Sequence, residues 1–411
     1  VPGSLASVIL AVTDIADFAL TVFLVAGAFA LAVLSTKLTD RIPVPPPALF
    51  LVGAAIVSDL WPGLYADASV LTVERIAVIA LIVILFNGGM DIGWPPFRAA
   101  AGPILSLGIL GTFATAGLVA VFAHYALGFD WTLAGLVGAA LAPTDPAVMF
   151  SVLGRREIGG RSGTTLEGEA GVNDPAGIAL MLGMIELATH ADESVLVIVR
   201  EFVVEMGIGT AIGIAGALLM VGLLGRLRLS TEALNPVLAL VLAGALYGIT
   251  AIAHGSGFLA VFIAGLVLGG TERPYKSAIE GFHGSLAVLA EIAVFVALGL
   301  RVSFGSLTLD TWVDGGLLMV ALALLVRPLV VLAALAAFRF RWSERAFIAW
   351  SGLKGAAPFL LAAFAVLAEV NDAEKLFGIV FVVVLFSVVG QGTFLPWVAA
   401  RLGIPMRELP G

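Results

Sequence analysis

The sequence contains no cysteine and only four histidines, His124, His190, His254 and His283, which are widely scattered. Disulfide frameworks, thiolate chemistry and Cys- or His-rich metal centres are therefore excluded. Charge is equally scarce. Asp, Glu, Lys and Arg make up 12% of 411 residues, against roughly a quarter in soluble domains, while 60% of the chain is hydrophobic. That balance excludes a water-soluble core. The formal net charge of −8 says little by itself, because what counts is where charges fall relative to apolar runs. No nucleic-acid partner is expected. The amino terminus shows neither a cleavable signal pattern nor an initiator Met, which points to a trimmed sequence.

What the chain has in abundance is apolar runs bounded by charge or by Pro/Gly clusters. They predict an all-α polytopic membrane protein with about 13 transmembrane helices. The spans fall at 17–36, 45–60, 71–90, 103–126, 132–153, 165–188, 196–225, 233–252, 257–270, 284–300, 312–338, 345–367 and 376–400. Placing the amino terminus outside and the carboxyl terminus in the cytoplasm puts most basic residues on the inner side, among them Arg98, Arg155, Arg156, Arg161, Arg339, Arg341, Arg345 and Arg401. This satisfies the positive-inside rule and predicts a protein integral to the cell membrane.

Two spans carry matching interruptions. Span five reads Gly138-Ala139-Ala140-Leu141-Ala142-Pro143-Thr144-Asp145-Pro146, and span twelve reads Ser351-Gly352-Leu353-Lys354-Gly355-Ala356-Ala357-Pro358. Their offset of seven spans is odd, so they run in opposite directions through the membrane, the pattern of inverted repeats with two crossed broken helices. The first repeat is expected over 1–188, a linker helix over 189–230 and the second repeat over 231–411. Pro and Gly are also simply common in membrane helices, which is the plainer reading of the same residues.

Acids inside such spans are costly and mark ion or proton traffic. Asp174, a few residues into span six, is the leading candidate, since one buried carboxylate can hold either a proton or a cation. Asn173 beside it adds a carbonyl oxygen and no second titratable group, so a one-for-one exchange would move no net charge. Thr144 and Asp145 lie at the break in span five and offer hard oxygens suited to an alkali ion. Asp145 is equally suited to capping the half-helix that follows it. Glu169 and Arg327 are isolated charges in apolar stretches, and mutual pairing is the economical arrangement. Lys354 is expected to neutralise the carboxyl ends of the half-helices at the break in span twelve. Glu291, within Leu289-Ala290-Glu291-Ile292-Ala293, reads either as an acid lining the ion path or as one hydrogen-bonded to a neighbouring helix.

Thr144-Asp145-Pro146, Glu169 with Asn173-Asp174, Arg327-Pro328-Leu329 and Gly352-Leu353-Lys354-Gly355-Ala356, together with Phe86-Asn87-Gly88-Gly89, resemble in order and spacing the signatures of the monovalent cation/proton antiporter family, in its electroneutral Asn-Asp branch. The resemblance implies a homodimer with spans one to three and eight to ten as scaffold and spans four to six and eleven to thirteen as a moving core. It implies that Asp174 exchanges ion for proton, that Thr144 and Asn173 shape the site, and that Glu169 pairs with Arg327. No resident cofactor is implied; potassium or sodium and protons are the cargo, the alkali ion being held at Asp174. Two positions depart from the family pattern. Ala170 stands where a Ser is frequent, removing a hydroxyl near the ion, and Lys354 stands where Arg is usual. The wording around Thr144 and Asn173 resembles the bacterial potassium/proton subgroup, in which a cytosolic regulatory domain often follows the last span.

Two rival readings are distinguishable. An intramembrane aspartyl protease using Asp145 and Asp174 would set one of them in a Gly-x-Gly-Asp context, and neither has it. A passive cation channel would favour rings or filters over one buried acid and a buried ion pair.

Overall fold

Polar residues just ahead of apolar runs start several helices. In the computed structural model, which describes residues 45–61, 69–145, 156–190, 195–227, 229–272 and 275–408 together with part of 19–34 and residues 148, 149 and 153, nearly everything is helical. The helices are α1 (Pro46–Leu60), α2 (Val70–Ile92), α3 (Trp94–Ala99), α4 (Ala101–Leu127), α5 (Trp131–Leu141), α6 (Gly160–Thr189), α7 (Val195–Arg226), α8 (Leu234–Ile252), α9 (Gly257–Gly269), α10 (Lys276–Leu300), α11 (Leu309–Ala334), α12 (Trp342–Trp350), α13 (Ala356–Leu367) and α14 (Ala373–Leu402). Side-chain oxygens of Ser69, Asp130, Ser256 and Thr308 accept from the N–H three residues on and so cap α2, α5, α9 and α11. Pro45 and Pro46 open α1, where a missing N–H costs nothing.

Among the described residues, seven helices are long and apolar enough to cross a membrane, and α1, α5, α9 and α13 are shorter apolar helices. The 30-residue α6 stands outside both groups because Glu167, Glu169, Asn173 and Asp174 interrupt its apolar character. The predicted spans from the second onward fall on helices, with two exceptions in extent: the fifth, 132–153, is matched by α5 only as far as Leu141, its later part lying largely outside the described residues, and the twelfth is divided into α12 and α13. The first, 17–36, lies partly outside the described residues, and those described within it are helical.

Small residues let α2 and α7 to α10 approach one another around Phe86, Met90, Ala217, Met220, Ala243 and Leu246. A larger apolar cluster joins the remaining helices. Of the most apolar stretch of α14, 72% is buried within the protein, against 22% for α7. The former is thus a central helix, and the latter turns Leu196, Val203, Leu218 and Leu219 outward.

Three long helices widen into π-helical turns, at Ser106–Gly111 in α4, Leu322–Val326 in α11 and Ser387–Gly392 in α14. In the latter two the widening is followed by a proline, Pro328 or Pro396, whose ring crowds the carbonyl one turn back and offers it no N–H. Finally, β1 (Arg156–Ile158) pairs antiparallel with β2 (Met406–Glu408) in the register Arg156 to Glu408, and the Gly159 N–H donates to the Pro405 carbonyl at 3.0 Å.

Candidate functional site

The two interruptions meet. After α5 the backbone is non-helical through Pro143, Thr144 and Asp145, and between α12 and α13 it is non-helical through Gly352 to Gly355. The Asp145 N–H donates to the Leu353 carbonyl at 2.8 Å, joining the two non-helical stretches where they cross. Non-helical backbone at that depth survives only when its polar groups find partners inside the protein.

The charges at the crossing provide those partners. Lys354 Nζ donates to the carbonyls of Ala142 at 3.1 Å and Pro143 at 2.8 Å, the carboxyl end of α5, where helical carbonyls lack N–H partners. Asp145 Oδ2 accepts from the Ala356 N–H at 3.2 Å, the amino end of α13. Sequence reasoning kept Lys354 on its own broken span; the structure sends its amino group across the crossing to the end of α5, and Asp145 reaches the amino end of α13. The cause is geometric, since each non-helical stretch lies against the terminus of the opposite half-helix.

Two glycines permit this closeness. A Cβ at Gly355 would collide with the Asp145 carboxyl, and one at Gly352 would lie 2.6 Å from Arg327 Nε. The Lys354 N–H donates to Ser387 Oγ at 2.9 Å, Ser387 donates to Gln391 Oε1 at 3.3 Å, and Gln391 Nε2 donates to the Trp350 carbonyl. Ser387 and Gln391, in the widened turn of α14, went unnoticed in the sequence. The available signal was two polar residues four apart in an otherwise apolar span.

On α6, Glu169 and Asn173 stand four residues apart and so share a face. Glu169 takes a two-pronged pair from Arg327, Nη1 to Oε1 at 2.5 Å and Nη2 to Oε2 at 2.8 Å, with the two residues 1% and 5% exposed. This fork geometry is the strongest form of the carboxylate–guanidinium contact. Asn173 Nδ2 donates to Thr144 Oγ1 at 2.8 Å, tying α6 to the break after α5. Among the described residues, Asn173 Oδ1 and Asp174 Oδ1, both buried, have no hydrogen-bond partner. Asp174 lies within electrostatic range of Asp145 and Lys354. Pro175 follows immediately inside the helix and, lacking an N–H, leaves the Gly171 carbonyl without its helical bond. The arrangement therefore presents uncommitted oxygens and one carboxylate at a crossing of broken helices. Ala170, beside Glu169, is buried and contributes no oxygen.

The profile described as "Sodium/hydrogen exchanger, transmembrane" matches residues 8–401. The chain belongs to this sodium/hydrogen exchanger family. It is an integral membrane cation/proton antiporter, a transporter and not an enzyme. Similar members of the exchanger family include the K(+)/H(+) antiporter NhaP of Alkalimonas amylolytica, 34% identical over 95% of this chain and 68% of that protein. The K(+)/H(+) antiporter NhaP2 of Shewanella sp. (strain ANA-3) is 33% identical over 93% of this chain and 67% of its own length. The chain thus spans about two thirds of the length of these exchangers. Its fold is similar to that of the sodium proton antiporter MjNhaP1 from Methanocaldococcus jannaschii, with a TM-score of 0.75 at 22% identity over 92% of this chain and 99% of that one.

Proposed function

We propose that this antiporter exchanges one monovalent cation, potassium or sodium, for one proton by alternating access, with Asp174 as the carboxylate that both cargoes share. The observation that carries the reading is the uncommitted carboxylate at the crossing. Glu169 is taken up by Arg327, while the Lys354 amino group is bonded to the end of α5 and Asp145 accepts from the amino end of α13. Asp174 makes no ion pair at bridging distance among the described residues and keeps one oxygen buried and unpartnered, with Lys354 near enough only to be felt electrostatically. A buried carboxylate so placed takes up a cation or a proton, and it cannot hold both fully. Thr144, Asn173 and Asp145 supply further oxygen ligands of the hard kind alkali ions take. Asn173 brings no second titratable group, so one proton leaves for each monovalent ion and the exchange is electroneutral. Glu169 with Arg327 then serves as a structural pair, and Asp145 with Lys354 compensates the ends of the broken helices. No resident cofactor enters the cycle.

The same reading assigns 1–188 and 231–411 as inverted repeats joined by 189–230. The paired interruptions support it, as do the widened turns in α4 and α11, which also lie seven predicted spans apart. Spans four to six and eleven to thirteen are the moving core, and spans one to three and eight to ten the scaffold of a homodimer. The packing of α2 against α8, α9 and α10 supports that scaffold. The amino terminus is outside and the carboxyl terminus cytoplasmic, on the distribution of Lys and Arg. Identity to relatives named K(+)/H(+) antiporters supports potassium as cargo.

The test is Asp174→Asn reconstituted in proteoliposomes containing a pH-sensitive dye. The amide keeps the shape and loses both charge and proton, so cation-driven proton movement is abolished while folding and dimerisation persist. In the parent protein, clamping the membrane potential at zero leaves exchange intact. Substantial exchange by the variant would overturn the role of Asp174, acceleration on clamping would overturn electroneutrality, and collapse of flux on clamping would mark a passive channel instead.

A further inference from the structure

The crossing is not the only place where a carboxyl lies buried. Glu291 sits in the middle of α10, flanked by Ala290 and Ile292, and its Oε1 is buried without a hydrogen-bond partner. Among the described residues it has no cation at salt-bridge distance, unlike Glu169 with Arg327. The charged group whose field reaches it is Asp145. The helix α10 packs on α1 and α2 and also touches α13, the half-helix whose amino end Asp145 caps. α10 thus reaches the crossing through α13, and Asp145 lies within electrostatic range of both Glu291 and Asp174.

Carboxyls within electrostatic range of each other repel when both are ionised, and a cation held between them removes the repulsion. The reading of Glu291 as an acid hydrogen-bonded to a neighbouring helix leaves its buried Oε1 unexplained. A cation arriving at the crossing must exchange its water for protein oxygens, and an unpartnered carboxylate oxygen within the field of Asp145 is such a ligand.

We propose that Glu291 is a cation-loading residue, binding the partly dehydrated alkali ion opposite Asp145 on its way to Asp174. This rests on the assignment of Asp174 as the carrier. Because α10 belongs to the proposed scaffold, Glu291 stays fixed while the core moves. Its charge does not travel, and the exchange remains one for one. The residue raises affinity for the cation and leaves the carrying step to Asp174.

The experiment compares the parent, Glu291→Gln, Glu291→Asp and Asp174→Asn in proteoliposomes, with initial rates over a range of K+ and of Na+ at fixed pH. Glu291→Gln is expected to raise the apparent KM for either ion about tenfold, equivalent to ~1.4 kcal/mol, with the maximal rate changed by less than about twofold. Glu291→Asp, which keeps the charge on a shorter arm, falls between the two. In detergent, the same variants are melted at increasing K+; Glu291→Gln needs about tenfold more K+ than the parent for an equal rise in melting temperature. A parent-like KM in Glu291→Gln, or a lost maximal rate at unchanged KM, would overturn the proposal. Should Glu291→Gln yield no folded protein, a parent-like KM in Glu291→Asp together with a parent-like melting response to K+ would overturn it too. Exchange persisting in Asp174→Asn would instead sink the carrier assignment, so the two failures are separable.

Discussion

Removing Arg327 alone, as Arg327→Gln, strands the Glu169 carboxylate at 1% exposure. Two charge-assisted hydrogen bonds vanish with the guanidinium, each worth about 1.5–3 kcal/mol in favourable cases. Measured losses for breaking buried pairs fall at about 3–5 kcal/mol, because the remaining charge has no counter-ion. Glu169→Gln leaves the mirror-image problem, a buried guanidinium whose Nε already has no partner. The double variant buries no charge at all, so its loss should be much smaller than the summed singles, with a coupling of about 2–3 kcal/mol. At an unfolding entropy of about 2 cal/mol/K per residue, each single costs at least ~4 °C in melting temperature for a chain of this length. The assay is thermal melting of the two singles, the double and the parent, purified in one detergent at one salt concentration. Losses that add would refute the reasoning, since they would mean the pair does not act as a unit.

Gly355→Ala places a methyl group against the Asp145 carboxyl, so it should displace the cap on α13 and destabilise the protein by about 1–3 kcal/mol, read as a lowered melting temperature alongside a depressed exchange rate. Ala170→Ser restores a hydroxyl beside Glu169 and should shift preference toward sodium; apparent KM values for both ions at fixed pH measure it, and a parent driven by sodium yet silent with potassium would contradict the expectation. Cysteines introduced one at a time near Asp174 into this Cys-free chain should label from one side of the membrane in any one locked state. Labelling from both sides at once in such a state would count against alternating access.

Much of the site is visible in the amino-acid order because the membrane makes polar residues conspicuous. Glu169, Asn173, Asp174, Arg327 and Lys354 stand out against apolar runs, and Pro143 and Gly352 to Gly355 mark where helix cannot continue. What the order does not display is which helix end each charge serves. That Lys354 holds the end of α5, and that Asp145 caps α13, follows from two non-helical stretches crossing in space, more than 200 positions apart in the chain. The widened turns are equally hidden, since a π turn has no composition of its own and only Pro328 and Pro396 hint at it. Ser387 and Gln391 are modest polar residues whose importance comes from the backbone they hold. Three-residue strands such as β1 and β2 are too short to leave a pattern.

That short strand pair has a mechanical consequence. It fastens the segment leading into α6 to the segment leaving α14, one in each of the two proposed repeats. In the proposed core, the two helices so fastened are the one that carries Asp174 and the one that steadies Lys354. In the proposed cycle, a clasp at their shared end would suppress shear between the two halves while leaving tilting of the whole assembly free. The proposed ion centre would then travel as a rigid cargo hold, with Asp174 and the crossing keeping their mutual spacing throughout the stroke.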